Sequence, residues 1–158
     1  MRPRRARTSV RSLATLRLEL FDDRVPLAAL AQKAGITIVL ITSRRSPALA
    51  RRARELGIDE LHQGAANKLA ECERVAKKLS VGFDQMLYVG DDLPDLAPML
   101  RAAISAAPAD AAAEVRAAAT WKLDARGGEG AFREAVERLL RARGEWDTIV
   151  KEFETQSG

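Results

Sequence analysis

The stretch Gly90-Asp91-Asp92-Leu93-Pro94-Asp95-Leu96 carries three carboxylates between positions 91 and 95. An apolar run over residues 85–89 precedes it and has the length and composition of a buried strand. Proline is well tolerated at the first position of a helix, so Pro94 predicts a helix directly after the acidic residues. Open α/β sheets bind their ligands at the carboxyl ends of strands, and clustered acids favour a shared cation or proton.

A purely structural role is the alternative for the same stretch. Aspartate is a strong N-cap residue, so Asp92 or Asp95 can serve only to start the helix. A short motif of this kind has many false matches. The rest of the chain therefore has to decide between the two interpretations.

The composition indicates one globular domain. The chain has 158 residues, of which 47% are hydrophobic, enough to form a proper core. No apolar run approaches the roughly 20 residues of a membrane span, so no membrane association is expected. The single cysteine, Cys72, is interpreted as a packing residue; it leaves no disulfide within the chain and fits a reducing compartment, which predicts a cytoplasmic protein.

The basic residues are unevenly distributed along the chain. Six of the 26 lysines and arginines lie in the first seventeen residues, which contain no acid. The other 20 basic residues face 22 acidic ones, a net charge of −2, which argues against a nucleic-acid-binding surface. Residues 1–14 are interpreted as a basic, disordered tail; a transit peptide of similar composition and a misplaced start codon are the alternatives.

Strand-like and helix-like segments alternate along the rest of the chain. Strands are predicted over residues 16–21, 36–41, 61–64, 85–89, 102–107 and 120–123, and helices over residues 25–34, 47–56, 67–79, 95–101, 110–119, 131–143 and 146–153. Such alternation predicts a mostly parallel, Rossmann-like sheet in a three-layer α/β sandwich over residues 15–143. Residues 144–158 are predicted to add a C-terminal helix and tail.

Polar side chains of complementary kinds follow three of the predicted strands. A hydroxyl and a guanidinium come from Thr42-Ser43-Arg44, an ammonium from Lys68 after the turn at residues 63–64, and carboxylates from residues 90–95. These groups are the ones that a site for phosphate and magnesium requires.

In this order the three loops resemble the second, third and fourth motifs of the haloacid-dehalogenase-like phosphatases. The chain is most similar to the capless branch that hydrolyses 3-deoxy-D-manno-octulosonate 8-phosphate, over about residues 30–143. The stretches that carry the resemblance are Gly35-Ile36, Ile41-Thr42-Ser43-Arg44, Gln63-Gly64 with Asn67-Lys68-Leu69, residues 90–95, and Gly127-Gly128-Glu129-Gly130-Ala131-Phe132-Arg133-Glu134. The resemblance implies a haloacid-dehalogenase-like fold without a cap domain.

The resemblance also implies phosphate and substrate contacts. Thr42 and Ser43 would bind the phosphoryl oxygens, Lys68 would neutralise their charge, and Arg44 would face the carboxylate of a sugar-acid phosphate. Taken one at a time, these residues have ordinary alternatives: Thr42 as a turn residue, Lys68 as a solvated helical lysine, and Arg44 as a surface arginine. Their joint occurrence favours the functional interpretation.

For the metal, the resemblance implies that Asp91 ligates Mg²⁺, while Asp92 and Asp95 hold the loop and Lys68 in place. The family's first motif, Asp-x-Asp-Gly, supplies the attacking carboxylate and a general acid, and it is absent from this sequence. Weak Mg²⁺ binding is therefore expected. Asp22 is the tentative substitute, because a strand over residues 16–21 can occupy the place between the strands that end at Thr42 and Gly90.

Two functions follow from the resemblance and stay open at this point. The first is a phosphomonoesterase of lipopolysaccharide biosynthesis that acts on 3-deoxy-D-manno-octulosonate 8-phosphate or a related sugar-acid phosphate. The second is a non-catalytic pseudo-phosphatase, an oligomerisation or regulatory module beside an acylneuraminate cytidylyltransferase-like enzyme. An upstream start that restores the first motif would favour the enzyme. The glycine-rich stretch over residues 127–130 implies a homotetramer, since in the family it reaches toward a neighbouring subunit.

Overall fold

A computed structural model describes residues 27–156 of the chain. The seven helices of this part are α1 (Leu27–Lys33), α2 (Pro47–Glu55), α3 (Lys68–Leu79), α4 (Leu96–Arg101), α5 (Ala113–Ala118), α6 (Ala131–Ala142) and α7 (Trp146–Thr155). Its five strands are β1 (Val39–Thr42), β2 (Glu60–Gln63), β3 (Leu87–Val89), β4 (Ile104–Ala107) and β5 (Trp121–Lys122). The predicted strand over residues 16–21, together with Asp22, lies outside the described residues.

All strand pairs in this part of the chain are parallel. β1 pairs with β2, with Val39 opposite Glu60, and β4 pairs with both β3 and β5, with Leu87 opposite Ile104. Within residues 27–156 no ladder of hydrogen bonds joins β1 to β3. The two groups of strands nevertheless form one layer, because both of them contribute to the same two hydrophobic cores.

Alternate side chains along the strands point to opposite faces of this layer. The first core contains Leu40, Leu87 and Val89 and is covered by α1, α2 and α6. The second core contains Ile41 and Tyr88 and is covered by α3, α4 and α5. The predicted three-layer α/β sandwich is therefore confirmed.

Local sequence signals account for most helix boundaries. Ser46 caps α2, its Oγ accepting from the amide of Leu49 at 3.3 Å, and Pro47 is the first helical residue, as predicted. Asn67 caps α3 in the same way, its Oδ1 accepting from the amide of Ala70 at 3.0 Å. These two caps fix where the chain turns from the carboxyl ends of β1 and β2 into the helices.

Near the acidic stretch the boundaries differ from the prediction. The strand predicted over residues 85–89 begins only at Leu87, because residues 83–85 form a 3₁₀ turn in which the side chain of Gln85 accepts from the amide of Gly82. The helix predicted from residue 95 begins at Leu96, and a second 3₁₀ turn, residues 93–95, precedes it. Pro94 lies in this turn and not at the start of α4.

Cys72 lies on the buried face of α3 in the second core. Burial raises the pKa of its thiol to about 12, which keeps it protonated at neutral pH. The side chain therefore packs as a small apolar group, in agreement with the prediction. In the described part of the chain no helix has both the length and the apolar character that crossing a bilayer requires.

Candidate functional site

Five loops follow the carboxyl ends of the strands, and because the strands are parallel these loops lie along one edge of the layer. We call this set of loops, residues 43–46, 64–67, 90–95, 108–112 and 123–130, the loop row. Backbone hydrogen bonds join neighbouring members. The amide of Gly64 donates to the carbonyl of Arg44 at 3.3 Å, that of Ala112 to Asp91 at 2.9 Å, and that of Ala109 to Ala125 at 2.9 Å.

Asp95 is the most connected side chain of the loop row, and only 1% of its surface is exposed. Its Oδ1 accepts from Lys68 Nζ at 2.7 Å and from the hydroxyl of Tyr88 at 2.8 Å. Its Oδ2 accepts from the amides of Asp91 at 3.0 Å and Asp92 at 3.2 Å. One carboxylate thus joins a strand, a helix and the acidic loop.

These contacts decide the ionisation of Asp95. Burial is the largest single effect and opposes the charged form, but the Lys68 ammonium, the Tyr88 hydroxyl and the Asp91 amide together outweigh it. The pKa of Asp95 consequently lies below its ordinary value of 3.8, and the side chain is an anion at neutral pH.

Gly90 is required for the close approach of Asp95. A Cβ atom at position 90 would lie 2.5 Å from Asp95 Cβ and 2.8 Å from Met99 Sδ, well inside contact distance. Only glycine leaves room for the 3₁₀ turn of residues 93–95 to fold back on the end of β3. The sequence therefore needs Gly90 and Asp95 together.

The two other aspartates of the stretch differ from Asp95. Asp92 is exposed, and its Oδ1 accepts from the amide of Leu93 at 2.8 Å, so it caps the 3₁₀ turn as the structural alternative proposed. Asp91 is partly exposed; its amide is bound by Asp95 and its carbonyl by Ala112. The backbone of Asp91 is therefore fixed on both sides.

The residues predicted to bind phosphate come from the neighbouring loops. Thr42 is partly buried at the end of β1, and its Oγ1 accepts from the amide of Arg44 at 3.2 Å. With that lone pair occupied, the Thr42 hydroxyl is set to donate its proton elsewhere. The side chains of Ser43 and Arg44 are exposed at the same loop. Lys68 is the first residue of α3, and its ammonium is held by Asp95.

Three side chains that sequence reasoning did not single out support the loop row. The buried Tyr88, hidden in an apolar run, binds Asp95. Glu134 accepts from the amides of Asp124 and Ala125 at 2.9 and 2.8 Å, which closes the glycine-rich loop on the first turn of α6. Its position in the first turn of α6, four residues after Gly130, was the available signal. Arg116 donates to the carbonyl of Pro108 at 2.8 Å and to that of Leu123 at 3.1 Å, a contact without a local sequence signal.

The described residues supply only part of a divalent cation site. Asp95 already accepts four hydrogen bonds and Asp92 caps a turn, and the resemblance gives the metal-binding role to Asp91. Residues 27–156 contain no group of three His, Cys, Asp or Glu side chains that could hold a metal ion. Further ligands would have to come from the rest of the chain, from a bound anion or from water.

Comparison with known proteins gives a consistent result. No protein-family model matches the chain. It is 36% identical over 117 residues to the 3-deoxy-D-manno-octulosonate 8-phosphate phosphatase of Escherichia coli K12, a match that covers 74% of this chain and 62% of that protein. The chain thus spans less than two thirds of the length of this curated relative.

Solved structures are similar over nearly the whole chain. A probable YrbI-family phosphatase from Pseudomonas syringae is 32% identical, with 93% of this chain and 94% of that chain covered and a TM-score of 0.82. The phosphatase of Moraxella catarrhalis, solved with a magnesium ion, a phosphate ion and a 3-deoxy-D-manno-octulosonate molecule, is 29% identical, with 93% and 95% covered and a TM-score of 0.83.

We expect that breaking the pair of Lys68 and Asp95 lowers the free energy of unfolding strongly. Replacing Lys68 by Met leaves a buried carboxylate without its cation, which costs about 3–5 kcal/mol of unfolding free energy. Asp95→Asn should also destabilise, and the double variant should lose less than the sum of the two. Urea unfolding measures all three. The exposed pair of Lys33 and Glu152 provides the control, since Glu152→Gln should cost at most about 1 kcal/mol.

The same pair predicts a pH dependence. Because folding lowers the pKa of Asp95, its stabilisation is present above the unfolded value near 3.8 and is lost as the pH falls through the lower folded value. Asp95→Asn should remove this part of the acid-induced loss of stability. An unchanged acid limb in that variant, or additive single losses in urea, would contradict the coupling.

Proposed function

Because the chain belongs to the haloacid-dehalogenase-like phosphatases, in the branch of the 3-deoxy-D-manno-octulosonate 8-phosphate phosphatases, we propose that it binds a sugar-acid phosphate of that class with a divalent cation at the loop row. One observation carries the proposal. Lys68 Nζ and the backbone of Asp91 are held by the same buried carboxylate, Asp95. The ammonium that would bind phosphate and the backbone of the residue that would bind the metal are therefore fixed relative to each other.

In this proposal each group has a defined task. The Lys68 ammonium neutralises a phosphoryl oxygen, and the Thr42 hydroxyl, whose oxygen already accepts from Arg44, donates to another. Ser43 adds a hydroxyl at the same loop. Asp91 holds the cation, which when bound supplies further charge neutralisation at the phosphoryl group. Asp92 and Asp95 keep the acidic loop and Lys68 in position.

The attacking group is the part of the reaction that the described residues do not supply. We propose that residues 16–21 form a strand between β1 and β3, which do not pair with each other in the described part of the chain. Helix α1 precedes β1 in a parallel crossover, so its first residue, Leu27, lies at the edge of the loop row. The five residues 22–26 suffice to connect a strand that ends there. Asp22 would then stand beside Thr42 and Asp91.

Even with Asp22 so placed, turnover should be poor. In the family's first motif a second aspartate protonates the leaving oxygen, and the corresponding residue after Asp22 is Arg24, which cannot act as an acid. We therefore propose a slow phosphomonoesterase that works in the cytoplasm on precursors of lipopolysaccharide. Its substrate would be 3-deoxy-D-manno-octulosonate 8-phosphate or a related sugar-acid phosphate.

A non-catalytic role is the second candidate, and one observation favours it. The sequence contains no Asp-x-Asp-Gly motif, which in the family supplies the attacking carboxylate and the general acid, as expected for a module that has lost catalysis. In this role the chain would act in oligomerisation or regulation beside an acylneuraminate cytidylyltransferase-like enzyme. The two candidates differ in turnover and not in fold.

A homotetramer is also proposed, as the resemblance implies. The tip of the glycine-rich loop supports it, because among residues 27–156, the chain neighbours of Gly128 aside, no atom lies within 4 Å of a Cβ placed on Gly128. The tip is therefore open to another subunit in this part of the chain. Sedimentation at micromolar concentration should give four times the chain mass of 17.2 kDa. A species of single-chain mass alone would contradict this assembly.

We expect Mg²⁺ to bind more weakly than micromolar. Mg²⁺ requires six oxygens in near-octahedral geometry, and Asp91 is the main protein ligand in the described residues. Calorimetric titration should give weak binding that Asp91→Asn abolishes, while Asp124→Asn, at an exposed carboxylate, leaves it unchanged. Tight binding lost in both Asp91→Asn and Asp22→Asn would instead identify Asp22 as a second ligand.

We expect phosphate release from 3-deoxy-D-manno-octulosonate 8-phosphate with Mg²⁺ to stay below about 1 s⁻¹, the low end of ordinary enzymes. Lys68→Ala should lower the residual rate further, because it removes the cation at the phosphoryl group. If Asp22 is the attacking group, Asp22→Asn should abolish the rate. Turnover above about 1 s⁻¹ would rule out the non-catalytic candidate, and a rate that survives Asp22→Asn would place the attacking group elsewhere.

A further inference from the structure

The guanidinium of Arg45 packs its face against Gly64, over the position that a Cβ atom of this residue would occupy. A Cβ atom at Gly64 would be 2.8 Å from Arg45 Nη2, 2.9 Å from Cζ and 2.9 Å from Nε. Three nearly equal distances mean that the plane of the guanidinium faces this position, since an edge-on approach would leave Cζ farther away than the nitrogens. Any side chain at position 64 would displace it. The contact therefore depends on glycine.

The two loops that form this contact are joined on both sides of it. The amide of Gly64 donates to the carbonyl of Arg44 at 3.3 Å, and the amide of Ser46 donates to Gln63 Oε1 at 2.6 Å. Arg45 thus projects from a segment whose backbone is anchored immediately before and after it. Because the backbone around Arg45 is anchored and its guanidinium packs on Gly64, less conformational entropy is lost when an anion binds than for a freely moving arginine.

The charge of Arg45 is not compensated within the described residues. Other arginines of this part of the chain form ion pairs, such as Arg52 with Glu55 at 3.1 Å and Arg133 with Glu137 at 2.8 Å. Arg45 has no such partner among residues 27–156, and it is exposed at the loop row. An exposed and oriented guanidinium without a carboxylate is suited to a carboxylate from a ligand.

We propose that Arg45 is a specificity-determining residue that binds the carboxylate of the sugar-acid phosphate, while Lys68 and Thr42 bind its phosphate. The inference rests on the proposed function. It differs from the implication of the resemblance, which gives this task to Arg44. The amide of Arg44 donates to Thr42 Oγ1 and its carbonyl accepts from the amide of Gly64. Among residues 27–156 its side chain has no contact comparable to that of Arg45 with Gly64.

The planar contact also distinguishes arginine from lysine at position 45. A guanidinium can pack its face on Gly64 and still offer a fork of two N–H groups to a carboxylate along its edge. An ammonium retains the charge and loses both the flat contact and the fork. The Arg45→Lys variant should therefore bind a carboxylate more weakly than the natural chain.

Titration of the full-length chain with two probes tests the proposal. The first, 3-deoxy-D-manno-octulosonate 8-phosphate, carries a carboxylate and a phosphate, and the second, inorganic phosphate, has no carboxylate. Arg45→Gln should weaken binding of the first probe about tenfold, the loss expected for a charge-assisted contact at an exposed site. It should leave the affinity for inorganic phosphate within about twofold. Arg45→Lys should show a smaller loss in the same direction.

Arg51→Gln is the matched control, an exposed arginine on α2 that likewise has no carboxylate partner among residues 27–156. It should leave both affinities unchanged. Amide NMR spectra of each variant verify that the fold is retained.

Three results would overturn the inference. In the first, the Arg45→Gln variant binds the sugar-acid phosphate as tightly as the natural chain does. In the second, the variant loses affinity for both probes by the same factor. A loss in Arg44→Gln with none in Arg45→Gln would return the task to Arg44. Failure of the proposed function looks different: the natural chain would bind neither probe, and Lys68→Ala would change nothing.

Discussion

The carboxylate of Asp95 is the interaction on which the arrangement of the loop row depends. It is buried, charged and bound by four donors, which come from β3, from the start of α3 and from the acidic loop. A buried charge is tolerated only when it is paired and its hydrogen-bonding capacity is satisfied, so none of the four donors can move independently. The position of the Lys68 ammonium relative to Asp91 is therefore a consequence of the packing around one side chain.

The packing of β3 between the two cores positions one of the four donors to Asp95, the hydroxyl of Tyr88. Tyr88 points into the second core, while its neighbours Leu87 and Val89 point into the first. The aromatic ring of Tyr88 is buried in this core, and its hydroxyl, at the far end of the ring, donates to Asp95. The hydrophobic alternation of a three-residue strand thus also orients a polar contact of the site.

Much of this could be predicted from the sequence, because the signals are local. The caps at Ser46 and Asn67, and glycines at helix ends, act over three or four residues, and the helices begin and end close to the predicted positions. The boundaries near Leu87 and Leu96 were wrong by one or two residues, since 3₁₀ turns are stabilised by single side chains such as Gln85 and Asp92.

Contacts that depend on how a loop folds back could not be predicted in the same way. The hydrogen bond between Tyr88 and Asp95 and the packing of Arg45 on Gly64 depend on the three-dimensional course of two loops, and neither has a pattern of spacing. The resemblance gave Asp95 as the residue that holds Lys68 and the acidic loop, but it did not give the hydroxyl of Tyr88, which completes the set of donors to Asp95. Asp22 lies outside the described residues, so its place in the sheet stays a prediction.

The close approach at Gly90 has a consequence for how this sequence can vary over evolution. Position 90 is constrained by position 95: an ideal Cβ at position 90 would lie 2.5 Å from the Cβ of Asp95, so Gly90 cannot be exchanged while the loop keeps this course. A side chain at position 90 would push the aspartate away and release the lysine that it holds. A relative with a larger residue there must then anchor its lysine by a different carboxylate, or work without one.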